Sequence, residues 1–551
     1  MTILATIWPH RANPWAALLI ASFLVTAYSC TATSRDVEQQ EPVITGIIRT
    51  SDGSPLYGIL VSAKGEGQKY TTSVITDDRG LYEFPPLPFG SYRVSVGTLW
   101  SEKVNFTSSG ATQDFTVELG PGFMTQTTGT SWLNLLPGTQ EEKKRLSDSC
   151  GSCHSIWRLI DRPQTSKEGW SALARKMARI TTTGEPLDPD APYRLDLSEE
   201  NFNPLMGYLT KNIVPELKEK QIVEAMVRPR GEAARAVFTE WDLSAEVKLV
   251  KATWTDSAGI IWFAADALDD FGAVGRLDPS TGEVKIWPTS LAKPTFHDIL
   301  GDSEENLWIT ASTANKIVKF DTSTYQYSMW DVPEASRWAH TGDLDPDGNF
   351  WFTLQRGEEI VAKLEPGTGK MTRFPPMTKR SGPYGLVIDR SGDVWFTQLR
   401  GHKVSKIVRA TGQLTEFDPP TPRAGPRRIQ MDSQGKLWFT EFFADKIARL
   451  DQATMEFTEY DTGVPGGSPY FIVVDKHDQI WINLLNGNVI GKFDRTTEKF
   501  TYFLFPQPES HSRNASLDHS TDPIGVVYER AFLAQKDFRA TIGRMHIRDS
   551  N

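Results

Sequence analysis

Asp389-Arg390-Ser391-Gly392-Asp393-Val394-Trp395-Phe396-Thr397 reads as a polar hairpin that opens on an aspartate and delivers a tryptophan to the head of the next strand. The same Asp-x-x-x-x-x-Trp spacing recurs from Asp256, Asp302, Asp345, Asp432 and Asp475. Tryptophans therefore fall at Trp262, Trp308, Trp351, Trp395, Trp438 and Trp481, with spacings of 46, 43, 44, 43 and 43 residues. A four-stranded blade needs about 45 residues, so the repeat predicts a β-propeller over 235–551. A seventh, degenerate unit is expected at the end. Pro523-Ile524-Gly525-Val526-Val527 aligns with Pro383-Tyr384-Gly385-Leu386-Val387, and Ile542-Gly543-Arg544 with Ile447-Ala448-Arg449. Val237-Phe238-Thr239-Glu240-Trp241 precedes the first full unit and resembles an outer strand such as Phe457-Thr458-Glu459-Tyr460. It is expected to complete the seventh blade and remove the exposed edges.

The remainder of the 551 residues divides by texture. Arg11 followed by the apolar run 16–28 reads as a signal peptide over 1–29, too short to span a bilayer. Ala27-Tyr28-Ser29-Cys30 is an imperfect lipobox, which makes Cys30 a candidate lipidation site and predicts an exported protein of the periplasm or cell envelope, with a lipid anchor if Cys30 is acylated. Residues 30–41 form a linker. A net charge of -10 argues against a nucleic-acid partner.

Residues 42–120 alternate apolar and polar in short runs, with turns at Asp52-Gly53 and Asp78-Arg79-Gly80, predicting a small β-sandwich. Gly46-Ile47, Pro55-Leu56, Asp78-Arg79-Gly80-Leu81-Tyr82 and Pro88-Phe89-Gly90-Ser91-Tyr92 resemble the carboxypeptidase regulatory-like domain, which has a carbohydrate-binding-like fold. The resemblance implies a spacer or docking module, with a carbohydrate or envelope contact as the ligand-binding alternative. A linker spans 121–140. The texture over 141–228 is helical. Thr165-Ser166-Lys167-Glu168 is a candidate capping box before Trp170, Leu173, Ala174 and Met177, which share one helical face. A further helix is expected over 204–212, with Asn203 as its cap and Pro204 in its first turn.

Within that helical stretch lies Cys150-Gly151-Ser152-Cys153-His154. Cys-x-x-Cys-His places two thiols where they can bond both vinyl groups of a haem, with the histidine beneath the iron. A thioredoxin-like pair needs a βαβ context, and a zinc site needs further ligands that the only other cysteine, Cys30, does not provide. The expected cofactor is one haem c, attached at Cys150 and Cys153 and ligated by His154. The segment 143–213 resembles class I-like cytochrome c modules through the motif itself, Trp170, Arg175-Lys176-Met177 and Leu197-Ser198-Glu199-Glu200, which would open a terminal helix. The resemblance implies a distal methionine, with Met177 best matching that place and Met206 the runner-up. A His/Met pair suits electron transfer.

Five residues before each repeat aspartate stand Lys251, His297, His340, Tyr384, Arg427 and Tyr470, and the same count from Glu529 gives Ile524. These head the innermost strands, so they form a candidate binding ring about the channel. Asp389-Arg390-Ser391-Gly392-Asp393-Val394-Trp395-Phe396-Thr397, Lys436-Leu437-Trp438-Phe439-Thr440-Glu441 and Asp445-Lys446-Ile447-Ala448-Arg449-Leu450-Asp451 resemble streptogramin B (virginiamycin B) lyases. Those enzymes open a cyclic lactone by elimination with His and Glu residues and magnesium. His297 and His340 match in placement. The glutamate expected three residues past the blade tryptophan is Leu354 in the His340 blade and survives only as Glu441, where hairpin pairing predicts an ion pair with Arg427 and Arg428. Asp343-x-Asp345-x-Asp347-Gly348 imitates a calcium loop but reads as a turn.

The sequence thus predicts a mainly β multidomain chain: a β-sandwich, a small helical cytochrome c domain and a seven-bladed propeller. Three functions follow from it. One is electron transfer through the haem, with the propeller binding a redox partner protein or small-molecule substrate. The second is an elimination on a cyclic ester. The third is a haem-linked oxidoreductase whose small-molecule substrate sits on the propeller.

Overall fold

The computed structural model describes residues 41–151, 155–178, 198–333, 335–510, 512–530 and 539–549. The signal peptide, Cys30, Cys153, His154 and the stretch 179–197 lie outside them.

Six four-stranded antiparallel sheets follow one another from Val247 to Leu504, each in simple sequential order. Their first strands are Val247–Thr255, Phe296–Gly301, Ser336–Leu344, Pro383–Ile388, Pro426–Met431 and Pro469–Val474. In each, the repeat aspartate closes the first hairpin. Its Oδ1 accepts backbone N–H groups two and four residues on, as Asp389 does from Ser391 and Asp393. Its Oδ2 accepts the indole N–H of the tryptophan six residues on, at 2.8–3.2 Å in all six blades. The aspartate thus shapes a local turn and satisfies an indole N–H whose ring is buried between blades. Asp345 does the same, with Asn349 and Trp351 as donors, while Asp347 pairs with Arg409. Of Asp343-x-Asp345-x-Asp347, Asp345 and Asp347 accordingly lie in a turn, and Asp343 in the strand before it accepts from Ile388 N.

The seventh sheet differs from the sequence alignment. Its order is Ala515–Asp518, Gly525–Arg530, Thr541–Ile547 and then Ala236–Asp242. The strand that aligns with the inner strand of blade 4 is therefore the second strand here, and Ile524 does not occupy a ring position. The inner strand has only four residues and no Asp-x-x-x-x-x-Trp hairpin after it, so the pattern slips by one strand. Ile542-Gly543-Arg544 does lie on the third strand, like Ile447-Ala448-Arg449. Ala236–Asp242 pairs with Thr541–Ile547 and closes the ring, Trp241 opposite Ile542.

The sheet does not end there. Tyr70–Ile75 of the sandwich adds to the other edge of Ala236–Asp242, with Thr72 opposite Thr239. One eight-stranded sheet therefore runs from the propeller axis to the far edge of the sandwich. The second sandwich sheet is built on Ile44–Arg49, and Ile48, Val61, Val94 and Phe106 fill the core between the two. Gly80, at the Asp78-Arg79-Gly80 turn, has φ of 75° and approaches Ile48 O so closely that a Cβ would lie 2.7 Å from it.

Among the described residues, six α-helices sit between sandwich and propeller: α1 (Gly129–Leu135), α2 (Gln140–Cys150), α3 (Trp157–Asp161), α4 (Lys167–Met177), α5 (Glu199–Asn212) and α6 (Leu217–Ala225). Thr139 and Glu142 form a reciprocal capping box on α2. The cap of α4 is Ser166, whose Oγ accepts the Gly169 N–H, rather than a box starting at Thr165. Helix α5 begins at Glu199, so Pro204 lies inside it and Asn203 is not its cap. At the sixth helical position Pro204 lies past the first turn and cannot donate the i→i−4 bond to Glu200 O. Trp132, Leu146, Trp170, Leu205 and Met206 share one apolar core.

Candidate functional site

Each inner strand enters at one face of the propeller, and the ring residues head these strands. Their backbone is held by a strut. Two residues past the blade tryptophan, a threonine hydroxyl donates to the carbonyl of the ring residue in the next blade. Thr310 reaches His340 O at 2.8 Å, Thr353 reaches Tyr384 O at 2.8 Å, Thr397 reaches Arg427 O at 2.5 Å and Thr440 reaches Tyr470 O at 3.1 Å. The same hydroxyls accept N–H groups of their own inner strands, from Asp298, Thr341, Gly385 and Arg428. Each strut thus ties two blades together at the level of the ring.

The side chains meet. The His297 and His340 rings are 3.6 Å apart between centroids, and His340 and Tyr384 are 4.0 Å apart. The Tyr384 and Tyr470 hydroxyls are 2.6 Å apart. The Arg427 guanidinium lies 3.7 Å from the Tyr470 ring centre, 4.2 Å from that of Phe442 and 4.7 Å from that of Tyr384. Lys251 completes the circle in blade 1, paired with Asp266 at 3.1 Å.

Cations dominate the electrostatics. Burial, then Arg428, Arg513, Lys251 and Arg427, holds the His297 imidazole well below its usual pKa. Burial, His297 and the same two adjacent arginines do so for His340. Both imidazoles are therefore neutral near pH 7. In the tyrosine pair, burial raises both phenols. For Tyr470 this is outweighed by Arg427, Arg513, the Tyr384 hydrogen bond and Arg428, so Tyr470 is the more acidic of the two, while Tyr384 stays raised.

Glu441 stands apart from the ring. It is fully buried opposite Pro426 and Lys446, and neither carboxylate oxygen has a hydrogen-bond partner among the described residues. Burial and then Glu459 push it up to about 8, against Lys446. The expected ion pair with Arg427 or Arg428 does not form, because Arg427 faces aromatic rings and Arg428 turns to Asp298 at 3.4 Å.

Sequence reasoning missed a second layer one residue further along the strands. Asp298 accepts from Arg428, from Asn514 Nδ2 at 2.9 Å and from Gly342 N. Arg428 also donates to Thr341 Oγ1 at 3.1 Å, and Thr341 lies 2.9 Å from His340 Nδ1. An arginine only donates, so the Thr341 proton is left for His340 Nδ1. Beyond this layer the channel widens into a cavity of about 380 Å³ lined by Thr253, Asp298, Thr341, Arg428, Asn514 and Ser516. Adjacent polar pairs at 297–298 and 427–428 were the available signal, since neighbouring strand residues point opposite ways.

The helical segment docks at the mouth that carries the ring. Thr130 N donates to Asn486 O and Ile156 N to Asn486 Oδ1, while Asn486 Nδ2 donates to Gly466 O. Lys144 of α2 reaches Phe443 O at 3.3 Å. Gly151 presses on the same asparagine: a Cβ there would lie 2.4 Å from Asn486 Nδ2. Leu485, next to Asn486, packs with Tyr384, Phe442 and Tyr470. Cys150 ends α2, half-buried against the helical core. Met177 ends α4 and is half-buried outside that core, whereas Met206 is fully buried within it.

The described residues contain no group of three or more His, Cys, Asp or Glu placed to hold a metal. Among the described residues the carboxylate next to the ring histidines, Asp298, is engaged by Arg428 and Asn514, and Glu441 lies opposite Pro426 in another blade. This donor set does not fit magnesium.

Residues 330–514 match the virginiamycin B lyase family and residues 43–122 the carboxypeptidase regulatory-like domain. Among solved structures, a streptogramin B lyase is 22% identical with a TM-score of 0.52, covering 58% of this chain and 100% of that one. Virginiamycin B lyase from Staphylococcus aureus is 19% identical with a TM-score of 0.50, covering 57% of this chain and 99% of that one. A catalytically inactive variant of it, crystallised with quinupristin, gives the same values. No curated protein matches the chain by sequence. The C-terminal region therefore has a virginiamycin B lyase-like propeller fold, and the N-terminal sandwich is of the carboxypeptidase regulatory-like type. At this identity the likeness speaks for fold alone.

Proposed function

We propose that this chain is an exported electron-transfer protein. It would carry one haem c attached at Cys150 and Cys153 and held by His154 and Met177, and its propeller ring binds the small molecule or partner that exchanges electrons with it. The observation that carries this reading is the seat of the attachment motif. Gly151, inside Cys150-Gly151-Ser152-Cys153-His154, rests on Asn486, and the adjoining Leu485 rests on Tyr384 and Tyr470 of the ring. A one-electron centre and a binding ring are useful together only when they are close.

The residues present suit the group. Cys150 sits at a helix end against an apolar core formed by several helices. Met177 is half-buried and outside that core, which favours it over the fully packed Met206 as a ligand. Bound haem would supply one-electron chemistry. The chain's own part is to bind and to take up protons. Arg427 favours an anionic or phenolic ligand, Tyr384 and Tyr470 offer hydroxyls, and neutral His297 can take the proton that an oxidised ligand releases. His297 Nδ1 has no hydrogen-bond partner among the described residues and is the acceptor in place for it.

Elimination on a cyclic ester is the second reading. The paired neutral histidines favour it, but among the described residues no free carboxylate joins them. The test is a spectrum of the full chain, exported with haem-attachment machinery. A covalent haem with a low-spin His/Met signature is expected, lost in Met177→Ala, together with reduction by a phenolic substrate that is lost in His297→Ala. Colourless protein would overturn the reading. Linearisation of a streptogramin B compound without absorbance change would establish the second.

A further inference from the structure

We propose that the cleft between the sandwich, helix α3 and the outer strand of blade 7 is a second binding site, for a small hydroxylated carboxylate of monosaccharide size. It lies at the propeller's periphery, whereas the ring lies on the inner strands. The cleft has a volume of about 560 Å³. Lys64 and Thr71 from the sandwich, Trp157 and Arg158 from α3, and Glu240 and Asp242 from the outer strand all border it.

Among the described residues its charges do not cancel. Lys64, Arg158, Arg162, Arg530 and Arg539 meet Asp161, Glu240, Asp242 and Glu509. Arg158 pairs with Glu509 at 2.9 Å, Arg162 with Asp161 at 3.4 Å and Arg539 with Asp242 at 2.5 Å. Glu240 is buried and accepts the Tyr528 hydroxyl at 3.0 Å, and burial pushes its carboxyl towards the neutral form despite Arg530. Lys64 has no ion pair of its own among the described residues. It faces Asp242, already held by Arg539, and Arg539 itself. Two cations thus share one carboxylate on one wall, and a ligand carboxylate placed between them would complete the balance.

The rest of the lining sets the body of the ligand. Trp157 donates its indole N–H inward, to Met124 O at 3.2 Å and Thr127 Oγ1 at 3.0 Å, so its polar edge is spent and its ring serves the cleft as an apolar wall. Thr71, Thr125, Thr541 and Gln507 supply neutral hydrogen-bonding groups around it. An apolar wall, neutral donors and acceptors and a cationic corner together fit a sugar acid better than a bare anion.

The test is calorimetric titration of the full chain with D-glucuronate, inorganic phosphate and D-glucose. Glucuronate is expected to bind saturably, and phosphate and glucose at least roughly tenfold more weakly. Lys64→Ala and Arg539→Gln should each weaken glucuronate by about tenfold with an unchanged unfolding midpoint. Phosphate binding as tightly as glucuronate would refute the hydroxylated body. No saturable binding, or binding that persists in both variants and falls in His340→Ala, would overturn the site.

Discussion

Glu441→Gln tests the electrostatics of the propeller interior directly. The carboxyl is fully buried, has no hydrogen-bond partner among the described residues, and faces Glu459 and Lys446, which already pair with each other at 2.7 Å. Burial first, and Glu459 second, raise its pKa from 4.5 to about 8. The folded state therefore keeps a proton that the unfolded chain loses above its own pKa. Between those two values the folded state binds one proton more, so stability falls as pH rises, by about 1.4 kcal/mol per pH unit. The deficit is about 3 kcal/mol at pH 7 and levels off near 5 kcal/mol above pH 8. Glutamine has nearly the same shape and no proton to lose. Whatever fixed offset its amide introduces, variant-minus-parent stability should climb with that slope from pH 5 to pH 8 and then flatten. Glu529, raised to about 8, and Asp343, raised to about 6, add slopes of the same sign, but they are common to both proteins and cancel. Urea unfolding followed by tryptophan emission at four pH values measures the difference. A flat difference would refute a buried, protonated Glu441.

Two further outcomes are expected. Asp432→Ala removes the acceptor of the Trp438 indole at 2.9 Å and of two turn N–H groups, and should cost about 3 kcal/mol in unfolding free energy, with Asp432→Asn recovering part of it. Arg427→Ala removes the cation stacked on Tyr470, so the first phenol to ionise in the Tyr384–Tyr470 pair should titrate at higher pH, read as tyrosinate absorbance in a pH titration.

The parts of this fold that were legible are those written in local chemistry. An aspartate that caps a hairpin and reaches an indole six residues on leaves its mark within one blade, and repetition makes it unmistakable. The ring was reachable by the same counting, because His297, His340, Tyr384, Arg427 and Tyr470 head equivalent strands. What escaped is written across blades. Arg428 meets Asp298 over 130 residues and Asn514 meets Asp298 over 216, and no local pattern announces either. Glu441 was assigned a partner from hairpin proximity, yet the neighbouring arginine side chains leave for the ring and the channel. Blade 7 slipped by one strand because its inner strand is short and lacks the marker.

Ring closure also fixes where the other domains must sit. Ala236–Asp242 comes before blade 1 in sequence but must reach blade 7 to complete it. A closed propeller would still leave the outer edge of that strand open, and Tyr70–Ile75 covers it, which removes a site for aggregation and welds the sandwich to the same blade. The chain between these two strands then has to leave the sandwich and return to blade 7. On that excursion Asn486, Gly466 and Phe443 hold α1, α2 and the start of α3 against the ring's mouth. Cys150 and Gly151, the described start of the Cys-x-x-Cys-His motif at the end of α2, thus reach the ring's mouth through topology rather than through any sequence signal of their own. A substitution that undocks them, such as Gly151→Leu against Asn486, should separate them from the ring without disturbing the Asp–Trp hairpins that build the blades.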